Sequence, residues 1–62
     1  MSSPMNFGDQ VVVIAADVDD LVVGDRGEVV GLSDDGLYAG VWIERLQLVY
    51  GVAVDQLELH VP

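Results

Sequence analysis

The chain has 62 residues, no cysteine, eleven carboxylates, two arginines and no lysine, for a formal charge of -9. That length allows one domain and leaves no room for separate cofactor and substrate domains, and without cysteine there is neither a disulfide framework nor a thiolate metal cluster. The charge repels phosphate backbones and anionic lipid surfaces alike, so direct binding to nucleic acid or membrane is not expected.

In chain order, Met1 to Asn6 reads as a flexible tail before a single domain over 7–62, with neither the basic start nor the apolar stretch of a leader. The longest apolar run, Val11 to Ala16, is far short of the roughly 18 residues that cross a bilayer. A cytoplasmic protein is expected. Turn clusters at Asn6-Phe7-Gly8-Asp9, Asp17 to Asp20, Gly24-Asp25-Arg26-Gly27 and Ser33-Asp34-Asp35-Gly36 separate valine-rich runs. Those runs, Gln10 to Ala16, Leu21 to Val23 and Glu28 to Leu32, predict strands, because β-branched side chains suit a pleated surface. Over Leu37 to Tyr50, Val41-Arg45-Leu48 and Trp42-Leu46-Val49 would form helical stripes. The alternation of Val41 and Ile43 with Trp42 and Glu44 instead predicts two strands turning near Glu44-Arg45-Leu46. Val54 to Val61 predicts a short helical turn at Asp55 and a closing strand.

The run Leu21-Val22-Val23-Gly24-Asp25-Arg26-Gly27-Glu28-Val29-Val30, then Ser33-Asp34-Asp35-Gly36-Leu37-Tyr38-Ala39-Gly40, resembles the SH3 domain. Val52 to Leu59 is similar to that family's terminal turn and last strand. Gly24-Asp25-Arg26-Gly27-Glu28-Val29 is also similar to the core of KOW motifs in related barrels. The resemblance implies an all-β fold: a five-stranded SH3-like small barrel with a short helical turn before the last strand. Family SH3 domains grip proline-rich peptides between aromatic rings. Here the corresponding positions hold Leu37, Ala53, Gln56 and Ile14-Ala15-Ala16, and of the basic side chains with which KOW motifs meet RNA the chain has only two.

Asp17 as position 1 of a calcium loop puts Glu28 at position 12, but Leu21 and Val22 occupy the fifth and sixth positions, where a ligand and a glycine belong. No metal or cofactor is expected. His60, the only histidine, has no nucleophile beside it in sequence; Ser33, the only serine outside the tail, falls in a turn. An enzyme is not expected. Asp34-Asp35-Gly36 forms a turn before anything else. Trp42 reads equally as a structural wall and as an interface anchor, and Arg26 and Arg45 are expected to pair with carboxylates.

Apolar residues make up 52% of the chain, more than so small an interior can hold, and large exposed apolar patches mark interfaces. The expected function is a non-catalytic acidic module that docks on a partner protein with a basic surface, and regulates or inhibits it. A nucleic-acid-binding protein is one such partner, its ligand imitated by the carboxylates as in small phage-type inhibitors. The expected protein-binding residues are Asp17, Asp19, Asp20, Asp34, Asp35, Tyr38, Trp42 and Glu44. The alternative is an accessory subunit or homo-oligomer whose acidity is a solubility or salt adaptation.

Overall fold

A computed structural model describes residues 5–16 and 19–60. Where valines and isoleucines recur every second residue, the chain is extended and one face is buried: β1 (Gln10–Val13), β2 (Arg26–Leu32), β3 (Tyr38–Ile43), β4 (Leu48–Ala53) and β5 (Leu57–Leu59), with a 3-10 turn over Val54–Gln56 before β5. All pairings are antiparallel, in the order β4-β3-β2-β1-β5. The all-β, five-strand expectation therefore holds, as one sheet that is not closed, since β4 and β5 stand at its two ends.

The buried face gathers Val11, Val13, Val29, Ala39, Val41, Ile43, Val52 and Leu57. Leu21 from the loop and Met5, on the tail side of the expected boundary, complete the cluster. Gly27 allows the closest approach in this layer: a Cβ there would strike the Trp42 carbonyl and a Val41 methyl. Among the described residues no helix is long and apolar enough to cross a membrane.

Two strand expectations need correction. Leu21 to Val23 forms a turn instead of a strand: Asp25 N–H donates to the Val22 carbonyl and the Val22 N–H to Asp25 Oδ2. Only Leu21 of the three is buried, and Gly24, at a φ of 99°, reverses the chain behind them. A short run with one buried side chain cannot hold a strand against an aspartate that captures its backbone. The first strand stops at Val13 because the Ile14 N–H is drawn to the Gln56 carbonyl and Ile14 lies exposed. The hairpin reading of Leu37 to Tyr50 holds as β3, a turn over 44–47, and β4.

Candidate binding surface

Alternation along β3 buries Ala39, Val41 and Ile43 and turns Tyr38, Gly40 and Trp42 to the opposite, uncovered face. The register sets Glu28 of β2 and Val49 of β4 on either side of Trp42, which is 36% exposed. It likewise sets Gly31 and Gly51 on either side of Gly40. The three glycines form a bare row across the sheet, walled by Tyr38 and Ala53 on one side and by Trp42 and Val49 on the other. At about 3.3 Å per residue, the Cα atoms of Tyr38 and Trp42 stand about 13 Å apart along the strand. Packing does not impose the glycines: a Cβ at Gly31 or Gly51 would meet nothing within 4 Å, and one at Gly40 would make ordinary contacts at 3.6–3.7 Å. Val30, the extra residue where the β2 register shifts, and Leu37 are exposed as well.

The third ring, Tyr50, points the other way. It is half-buried against the core, and its hydroxyl donates to Asp20 Oδ2 at 3.2 Å. Burial and the nearby Asp20 carboxylate both raise its pKa.

Two of the acidic side chains expected to bind, Asp20 and Asp35, are engaged in holding the chain. Asp17 lies outside the described residues. Asp19 is exposed. Asp20 accepts from Arg45 Nη2 through its carbonyl, at 2.7 Å, as well as from Tyr50. Asp35 Oδ1 accepts from Ser33 Oγ at 2.6 Å and from the Leu37 N–H at 3.0 Å, contacts that hold its carboxyl below the usual range. Ser33 Oγ in turn accepts from the Tyr38 N–H, so this turn sets where β3 begins. Asp34 is exposed in that turn. Glu44, also exposed, lies two residues beyond Trp42 and donates its N–H to the Arg26 carbonyl.

Of the expected binding residues, Tyr38 and Trp42 thus share one face of β3, with Glu44 in the turn beyond its Trp42 end and Asp34 and Asp35 in the turn before its Tyr38 end, while Asp20 is turned to Arg45 and Tyr50. Glu28, Val49 and the glycine row belong to the same surface and were not among the residues expected to bind. Their signal is cross-strand register, which becomes readable only once turn lengths are known. Arg45 pairs with Asp25 as expected; Arg26 makes no ion pair among the described residues. No pocket opens in this surface, and no three His, Asp or Glu side chains among the described residues stand where they could hold a metal ion. Comparison with protein-family models, curated proteins and solved structures finds no match to the chain.

Proposed function

We propose that this chain is a non-catalytic acidic binding module of SH3-like form, acting in the cytoplasm, that docks on a partner protein with a basic surface and regulates or inhibits it. The observation that carries this reading is the setting of Trp42, a partly exposed ring with Glu28 directly across the ladder and Glu44 two residues on. Tryptophan is the residue type most enriched in binding hot spots. A lysine or arginine over its face would gain from the ring and from the Glu28 carboxylate across the ladder, with Glu44 adding to the negative field. The remaining negative charge speeds encounter with a cationic partner. If that partner binds nucleic acid, the carboxylates stand in for phosphates. The strand order β4-β3-β2-β1-β5, with its 3-10 turn before β5, supports the SH3-like form. Exposed Leu37 in place of a ring argues against a proline-peptide groove.

The test is capture from native host lysate on immobilised chain, compared with Trp42→Ala and with the double variant Glu28→Gln, Glu44→Gln. A basic protein should be retained by the natural chain, lost with Trp42→Ala, weakened by the double variant, and released at about 0.5 M NaCl, where the Debye length falls to a few ångströms. Capture indifferent to salt and to Trp42 would show the reading to be wrong.

A further inference from the structure

Among the described residues, β4 ends the sheet and pairs only with β3. Its six residues, Leu48-Val49-Tyr50-Gly51-Val52-Ala53, include no charge and no proline, and its register with β3 runs through six pairs without a bulge. Natural sheets ordinarily blunt an edge with those very devices. The opposite edge, β5, is only three residues long and carries Glu58. Antiparallel pairing alternates the residues that bond inward and outward. The Val54 N–H donates to the Leu37 carbonyl and the Gln47 N–H to the Ile43 carbonyl, which fixes the phase. Leu48, Tyr50 and Val52 face β3, and Val49, Gly51 and Ala53 turn their N–H groups to the open side.

Charge decides what can add there. A second copy would also carry -9. Antiparallel pairing of the two edges would bring the Glu44 end of each β4 toward the Asp55 end of the other. A cationic strand meets the opposite situation, with carboxylates waiting at both ends. The glycine row adds a further constraint, because it opens at this edge: Gly51, Gly40 and Gly31 run inward between Tyr38 and Trp42. The outward side chain of an added residue opposite Gly51 would lie along that bare floor. A long side chain with an apolar stem and a cationic head fits it, the stem over the Gly51 backbone and the head toward Gly40, between Tyr38 and Trp42.

We infer that β4 accepts, as a sixth strand, an extended basic segment of the partner protein, with an arginine lying in the glycine row opposite Gly51. This rests on the basic-partner reading above and specifies how that partner is held.

The probe is a synthetic nine-residue peptide with arginine at its first, fifth and ninth positions and alternating valine and threonine between. A control peptide carries glutamine at those three positions. Amide hydrogen exchange is followed at Val49, Gly51 and Ala53, and Trp42 fluorescence is read in parallel. The arginine peptide should slow exchange at these three amides by about tenfold or more and change the Trp42 signal, with little effect from the glutamine peptide. Gly51→Val, which a strand accommodates readily and for which there is space, should keep the fold and lose binding by about tenfold or more. A Trp42 response without slowed amides overturns the edge inference and leaves the basic-partner reading standing; no response from either removes both. Protection that grows with protein concentration in the absence of peptide assigns the edge to a second copy and also overturns the inference.

Discussion

Arg45 grips Asp25 with two bonds, Nε to Oδ1 at 2.7 Å and Nη2 to Oδ2 at 2.9 Å, and so ties the turn between β3 and β4 to the chain entering β2. Asp25 is the one charged residue buried among the described residues, at 8% exposure. Its remaining acceptor capacity serves the Val22 N–H. Arg45 Nη2 also reaches the Asp20 carbonyl, so one guanidinium fastens two points of the loop that precedes β2, Asp20 and Asp25, with three bonds. Removing the charge with Asp25→Asn should destabilise the chain by about 2 kcal/mol, the range for bonds to charged groups. The half-exposed Arg45 keeps the loss below that of a fully buried pair. For a domain of this size that is a substantial part of the total, and urea titration of the variant measures it.

The same pair sets a pH dependence of definite sign. The bonds from Arg45, reinforced by the Val22 N–H and by the charge of Arg45, outweigh burial and hold the Asp25 carboxyl below its ordinary value. Its stabilisation is therefore complete above the unfolded carboxylate pKa of about 3.9 and is lost as pH falls through the lower folded value. The melting temperatures of the natural chain and Asp25→Asn should differ most near pH 7 and converge as pH falls below the ordinary carboxylate range. A difference that widened in acid would contradict the pairing. Asp35, held down by Ser33 and Leu37, works in the same direction.

What could be read from the sequence was whatever one buried face dictates. Tyr38 to Ile43 alternates because Ala39, Val41 and Ile43 all enter the core, and this overrides the helical spacing of Trp42, Leu46 and Val49. The Leu21 to Val23 run misleads because composition records three apolar residues and not that two face water. The surface around Trp42 was half-legible. Its ring and Glu44 stand out by residue type, but Glu28 and Val49 join them only through register. That register depends on a four-residue turn in which Gln47, not glycine or asparagine, takes the left-handed conformation at a φ of 58°. The bulge at Val30 shifts the phase again between Val29 and Gly31.

Gly27 tests the tightest contact of the core. It pairs with Val11 on one side and Ile43 on the other, and its missing Cβ is the space that the Trp42 carbonyl and Val41 occupy. Gly27→Ala should cost about 1–3 kcal/mol through displaced backbone, although alanine is otherwise the better strand residue. Gly51→Ala, with open space around its Cβ, should be neutral or slightly stabilising. Thermal melts of the two variants side by side separate crowding from backbone freedom, and equal effects would refute the contact.

Eleven carboxylates and two arginines leave the folded chain repelling itself, and compaction brings those charges closer than in the unfolded chain. Sodium chloride should therefore raise the melting temperature between about 0.01 M and 0.5 M, as the Debye length shrinks from about 30 Å to a few ångströms. The Arg45–Asp25 pair, with its carboxylate buried, is screened far less and should not reverse the trend. A melting temperature that fell with salt would mean that attraction, not repulsion, dominates the charge balance. The binding proposed above carries the opposite sign, since capture of a basic partner weakens as salt rises.

Trp42, the only tryptophan, reports the local field directly. Its ring is reachable from solvent on a face that also carries Glu28 and, two residues before it on β2, Arg26, with Glu44 two residues on from the ring in the following turn. A cationic quencher gathers near those carboxylates and an anionic one is driven off. Caesium should therefore quench Trp42 fluorescence more efficiently, relative to each ion's action on free tryptophan, than iodide does. The asymmetry should shrink as sodium chloride is added and fall in the double variant Glu28→Gln, Glu44→Gln, while neutral acrylamide quenches the natural chain and the variant alike. Equal quenching by the two ions would mean that the negative potential does not reach the ring, and the role of these two carboxylates at the binding surface would fall with it.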